Sequence, residues 1–192
     1  MTEIPAVRSV RTEHTRAGVA AALMAIGTLA LLARTSVLGT AHQTSILVEI
    51  YLGLALVSLL VPMGSRERPR LPTIWVVAIG GLAFAAVTFL TSPQIPLPRG
   101  AEVLVLNTAA AISEEAFFRR LVYGVLQRYA VGLAVVGSAT LFALIHVPLY
   151  GTSAFAVDLG AGLVLSWQRW ASGDWIASGT THVIANLLAV MR

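Results

Sequence analysis

Seven apolar runs constrain this chain more than anything else in it. They cover about 17–33, 44–63, 73–90, 101–128, 130–146, 152–170 and 175–191. A bilayer core needs about 20 apolar helical residues to cross it, and in lipid a helix is one of the two structures that satisfy their own backbone. The chain is therefore expected to be all-α, a polytopic transmembrane bundle of about seven helices forming a single integral membrane domain over 1–192. Composition agrees. Of the 192 residues, 57% are hydrophobic and 11% charged, against about 25% charged in soluble domains, which is too few to cover a surface facing water.

The breaks between runs are polar or proline-bearing. Segment 64–72 carries three arginines, and segment 91–100 carries three prolines, which exclude a helix interior. The fourth run would form a helix of roughly 42 Å at 1.5 Å per residue, so it either tilts or breaks near Ser113. Pro148 is expected to stop the fifth. The first run reads as a retained helix rather than a cleaved signal peptide.

Arginine placement sets the orientation. With the amino terminus cytoplasmic, the inner side holds Arg8, Arg11, Arg16, Arg66, Arg68, Arg70, Arg120, Arg128 and Arg169, and the outer side only Arg34, Arg99 and Arg192. The expected topology is N-in, C-out. The same scatter of basic residues between apolar spans accounts for the net charge of +4 without a phosphate-binding patch, so no nucleic-acid partner is expected. There are no cysteines, which excludes disulfides, thiolate metal sites and a cysteine nucleophile.

Against this background the polar residues inside the spans stand out. Glu114 and Glu115 lie side by side in the fourth run, where an ionised carboxylate costs several kcal/mol and normally marks a function. On a helix they point about 100° apart, so they cannot share one task. Glu115 and Arg119 are four apart in the favourable order for an ion pair, which leaves Glu114 to meet another helix. Phe142 and His146 share a face of the fifth run, and His182 and Asn186 a face of the seventh. Singly, each reads equally well as a helix cap or as interhelical glue. Together, a carboxylate, two imidazoles and a carboxamide are the parts for proton transfer to a water and for holding an oxyanion. Their depths are compatible with the inner half or middle of one bundle, His146 lying nearest the outer side. With no serine or cysteine nucleophile motif, the parts suggest water-based hydrolysis.

Glu114-Glu115-x-x-x-Arg119, then Phe142-x-x-x-His146, then His182-x-x-x-Asn186, in this order on successive spans, resemble the motifs of the CAAX-protease and bacteriocin-processing (CPBP, or Abi) family of intramembrane endopeptidases. The stretches Leu159-Gly160-Ala161-Gly162-Leu163 and Ser172-Gly173-Asp174-Trp175 resemble that family's approach to its last histidine. The resemblance covers about 101–192, which would hold the catalytic core. It implies Glu114 as the general base with His146 assisting, His182 and Asn186 as oxyanion ligands, and Glu115, Arg119 and Phe142 as supporting residues. It further implies a membrane-anchored peptide or protein substrate in the lipid bilayer, and a bacterial inner-membrane processing role fits at least as well as a prenylated substrate. A cofactor-free mechanism is favoured over zinc held by Glu114, His146 and His182, because the His-Glu-x-x-His spacing is absent.

A small transporter or proton relay is the alternative from another class, and a catalytically silent immunity or binding protein a third. A relay would spread ionisable groups along a path, whereas here they gather in the second half without a repeat. Glu49 could line a cavity or snorkel, Asp158 reads as interfacial, and His14 and His42 as solvated. Trp75, Trp167, Trp170 and Trp175 fall near span ends, as interface anchors do.

Overall fold

The computed structural model describes residues 5–61, 69–90 and 100–191, with side chains from 17 onward. The remainder of the loops expected at 64–72 and 91–100, together with Arg8, Arg11, His14, Arg16, Arg66, Arg68, Arg99 and Arg192 as side chains, lies outside the described residues. Seven principal helices follow: α1 (Pro5–Val37), α2 (Gln43–Leu60), α3 (Thr73–Leu90), α4 (Ala101–Glu115), α5 (Val131–Tyr150), α6 (Phe155–Ser172) and α7 (Trp175–Met191). A π-helical segment (Ala116–Val122) and one closing turn (Tyr123–Leu126) prolong α4, and a 3-10 turn (Thr152–Ala154) precedes α6. No strand occurs among the described residues. The fold is the all-helical bundle that the apolar runs require.

The third and seventh runs coincide with α3 and α7. Three others differ for identifiable reasons. Helix α1 passes Arg34 and ends at Val37, because the hydroxyls of Thr35 and Ser36 bond back to Leu32 and Ala33 carbonyls. Gly39, at φ +81°, then turns the chain. Helix α4 does not break near Ser113; it changes its winding instead. Helix α5 runs through Pro148 to Tyr150, since a proline in the last turn forfeits only one ladder bond and Gly151 N closes the end on Val147 O at 2.8 Å.

Consecutive helices run antiparallel, so the arginines gather at one end. There Arg120 donates to the last carbonyls of α2, at Ser58, Leu59 and Val61, a cation placed at a helix carboxyl terminus. Arg70 lies over the Trp170 ring at 4.7 Å and donates to Trp170 O at 2.7 Å, closing α6 at the same end. At the opposite end Thr44 donates to Glu102, joining the starts of α2 and α4.

The α4 rod is the centre: with its π extension it packs on α1, α2, α5, α6 and α7. Its Phe117, Phe118, Leu121 and Val122 form the apolar core with Leu31, Leu54, Phe142 and Ile145. Gln168 fastens α3 to the rest by donating its amide to Val76 O and Thr181 Oγ1, both at 2.8 Å. The outside is apolar, with Leu52, Ile74, Leu82, Phe89 and Leu90 more than half exposed, while Glu114, Glu115, Arg119 and Gln168 are buried. This distribution is inverted relative to a soluble protein and fits a lipid solvent. Length and composition qualify four helical stretches to cross a membrane, Ala17–Val37, α2, α3 and α5, and α7 is a shorter apolar helix. The protein is an integral membrane protein.

Candidate active site

The site is built where α4 changes to π winding. Backbone carbonyls of the wider turn also accept from side chains on neighbouring helices: Ser138 Oγ donates to Phe118 O at 2.9 Å and Arg169 Nε to Arg119 O at 3.2 Å. Single π turns of this kind occur often at functional sites. Immediately before the π segment stand the two carboxylates, and the structure gives each its own arginine and its own histidine.

Glu115 and Arg119 are completely buried and form the pair their spacing predicts, Nη1 to Oε1 at 2.9 Å. Arg119 Nη2 donates to Gly162 O at 3.0 Å, and its guanidinium lies over the Phe142 ring at 4.6 Å. His182 joins this pair: its Nδ1 stands 3.1 Å from Glu115 Oε1. Since an ionised carboxylate only accepts, Nδ1 carries the proton. His182 therefore belongs to the Glu115 side of the site.

Glu114 points the other way. Its Oε1 accepts from Nη1 of Arg34, which reaches across from the last turn of α1. Its Oε2 faces His146 Nε2 at 3.8 Å. The other nitrogen of that ring, Nδ1, donates to Phe142 O at 2.7 Å, because a carbonyl only accepts. The His146 ring is held between Phe142, at 4.4 Å, and Tyr150, stacked at 5.8 Å. In the neutral ring Nε2 then presents a bare lone pair to a carboxylate oxygen. Two acceptors in this relation can be bridged by a proton or by a water lodged beside both.

The remaining expected residues fall as follows. Asn186 Nδ2 donates to Asn107 O at 3.1 Å, tying α7 to the first half of α4. Phe142 is the hub between the two halves, with its ring 5.8 Å from His182 and 5.4 Å from Phe118. Asp158, in the first turn of α6, is half-buried, and its Oδ2 is buried without a hydrogen-bonding partner. Glu49 is exposed on α2, and His42 is exposed at the start of that helix.

Sequence reasoning passed over Arg34, Tyr51 and Tyr150. Tyr51 lies under the Arg34 guanidinium at 5.9 Å, and Tyr150 over His146. The signal for Arg34 was present: a cation beside an apolar span with no acid within a turn of it, while Glu114 was the acid left without a partner. This polar cluster also lies toward the arginine-poor end. Arg34, His146 and Asp158 are each within about a turn of the helix terminus at that end, whereas Glu114 and His182 lie near mid-helix.

Glu114 Oε1 is taken by a guanidinium and His182 Nδ1 by Glu115. Among the described residues no three His, Asp or Glu side chains stand in a metal-holding group.

Residues 97–188 match the model of a family described as type II CAAX prenyl endopeptidase, Rce1-like. Over this stretch the chain matches the CAAX-protease family whose motifs it resembles, and the family-level reading is a CAAX-type protease. Glu114, Glu115, Arg119, Phe142, His146, His182 and Asn186 all fall inside the match, while Arg34 and Tyr51 fall outside it. No curated protein and no solved structure matches the chain.

Proposed function

We propose that the protein is an intramembrane endopeptidase that cleaves a membrane-anchored peptide with a water activated between Glu114 and His146. The observation carrying this reading is the pair of acceptors, Glu114 Oε2 and His146 Nε2, 3.8 Å apart on different helices. A water bound there has both lone pairs ready to take its proton. Its oxygen attacks the scissile carbonyl as that proton passes to Glu114, with His146 sharing it. The carbonyl becomes an oxyanion. Collapse returns the proton to the departing nitrogen, breaks the C–N bond and leaves a carboxylic acid and an amine, between which the remaining acid proton passes to give carboxylate and ammonium. His182, Glu115, Arg119 and Phe142 hold the frame in which this happens, and no cofactor is required.

The substrate enters from the arginine-poor end, because the site lies toward it. With the arginine-rich end cytoplasmic, that end is extracytoplasmic in a bacterial plasma membrane. The substrate is then a peptide anchored in the outer leaflet and cut close to its anchor.

The test uses purified protein in vesicles holding a panel of peptides, each with a single hydrophobic anchor, read by mass spectrometry. The expected outcome is one preferred cut, abolished by Glu114→Gln and strongly reduced by His146→Ala, and unchanged by a strong zinc chelator. Cleavage surviving both substitutions overturns the roles, and cleavage abolished by the chelator and restored by zinc overturns the metal-free mechanism.

A further inference from the structure

Arg34 holds more donors than its visible contacts use. It is almost fully buried, at 4% exposure. Its Nε donates to Leu31 O at 3.0 Å, and its Nη1 to Glu114. Its Nη2 is buried and makes no hydrogen bond of ordinary geometry, with the Tyr51 side chain its neighbour on that face. A charged donor left unmade inside a protein is costly, and here it sits beside the carboxylate that the proposed reaction needs. The two terminal nitrogens share one carbon in a planar fork. An oxygen accepting from Nη2 therefore lies next to the Glu114 carboxylate, where a carbonyl attacked by a Glu114-bound water would carry its oxygen.

The other donors expected for that oxygen are partly engaged. His182 spends Nδ1 on Glu115, so its Nε2 has no hydrogen in the neutral ring. Asn186 Nδ2 gives one of its two hydrogens to Asn107 O, and Arg119 gives its terminal nitrogens to Glu115 and Gly162 O, its Nε being buried without a hydrogen-bond partner. Of these spare donors, the one on a side chain paired with Glu114 itself is Arg34 Nη2.

From this we infer that Arg34 is a catalytic residue, donating Nη2–H to the substrate carbonyl oxygen as it becomes an oxyanion. The inference rests on the reading of Glu114 as the base. Charge accounting supports it. In the resting site the Arg34 charge is balanced by Glu114. When Glu114 takes the water proton it becomes neutral, and the negative charge appears on the substrate oxygen. Arg34 then balances that oxygen through its second nitrogen without moving and without losing a proton. At no stage does the low-dielectric interior hold an uncompensated charge, which is the condition for electrostatic stabilisation without reorganisation. The residue comes from α1, outside the stretch that matches the family.

The test takes the peptide that the wild-type protein cuts fastest from the panel, and compares kcat and KM for Arg34→Met and Arg34→Lys. Removing one oxyanion donor lowers kcat by about 10²–10³. The expectation for Arg34→Met is a fall of that size with KM little changed, with Arg34→Lys intermediate. A phosphinate analogue of the same peptide, which mimics the tetrahedral state, is expected to lose affinity for Arg34→Met in proportion to kcat/KM, while the uncleaved peptide keeps its affinity in a Glu114→Gln background. Added guanidinium ion is expected to restore part of the kcat of Arg34→Ala. Each of these is a readout that a merely structural role leaves unmoved.

If Glu114→Gln abolishes cleavage while Arg34→Met and Arg34→Lys keep kcat near wild type, the role of Arg34 is overturned and the base stands. If Glu114→Gln cleaves normally, or the wild type cuts no peptide of the panel, the base reading falls and the Arg34 inference falls with it. If Arg34→Met does not fold, Arg34→Lys decides: wild-type kcat with unchanged phosphinate affinity overturns the role.

Discussion

Arg119→Met tests whether the buried ion pair holds the frame. Arg119 and Glu115 have no solvent-exposed surface. The substitution keeps most of the apolar stem and removes the guanidinium. Glu115 then keeps only its contact with His182, Gly162 O loses its donor, and the Phe142 face loses its cation. Breaking a buried pair by removing one partner costs about 3–5 kcal/mol, because the other charge stays behind uncompensated. In Glu115→Gln with Arg119→Met both charges are gone, so the double variant is expected to be more stable than Arg119→Met alone. The coupling between the two sites is then on the order of 2 kcal/mol, within the range for residues in contact. Unfolding of wild type, both single variants and the double variant, titrated with sodium dodecyl sulfate in mixed micelles, measures all four corners of the cycle. Arg119→Met within about 1 kcal/mol of wild type, or a double variant less stable than Arg119→Met, refutes the reasoning.

Two further outcomes follow from packing and topology. Gly162→Ala places a Cβ 3.0 Å from the Ala139 Cα and carbonyl oxygen, so α5 and α6 must separate; the expected loss is about 1–3 kcal/mol in the same titration, and unchanged stability contradicts the close approach. The chain has no cysteine, so His42→Cys and Tyr129→Cys, exposed at opposite ends of the bundle, report orientation. In intact cells a membrane-impermeant maleimide is expected to label the first and spare the second, and the reverse pattern turns the site toward the cytoplasm.

What the sequence made legible was decided by local chemistry. Helices α3 and α7 were readable to the residue because Pro72 and the Gly173–Asp174 corner interrupt the apolar pattern where the backbone itself turns. Glu115 and Arg119 were readable as a pair because four residues along a helix bring two side chains together whatever surrounds them. The π segment was not. Its sequence, Ala116-Phe117-Phe118-Arg119-Arg120-Leu121-Val122, is ordinary for an α-helix, and the side chains that donate to its carbonyls, Ser138 and Arg169, come from far along the chain. The partners of His182 and Asn186 were equally hidden, since facing two residues on one helix does not say which residue of another helix they meet. Arg34 looked like a flanking charge because the apolar run stops at Ala33, while the helix itself goes one turn further on hydroxyl back-bonds.

Adjacent carboxylates in a membrane interior raise a question of charge that the motif-bearing stretch does not answer by itself. Glu115 finds its cation four residues away on the same helix, so the stretch 97–188 neutralises that carboxylate from its own residues. Glu114 points about 100° away, toward α1 and α5, and the cation it meets is Arg34. The division follows from the geometry. One carboxylate is locked by a partner on its own helix and by a histidine on α7, enclosed and suited to holding a frame. The other is held by one long side chain from α1 and faces a histidine near the end of α5. The site is therefore complete only when α1 is docked, although α1 lies outside the matched stretch. Without it Glu114 would carry a buried charge with no cation beside it, a penalty of several kcal/mol that its protonation or the opening of the bundle would relieve. Either response removes the base that the proposed reaction needs. On this reasoning α1 belongs to the chemistry as much as to the anchor.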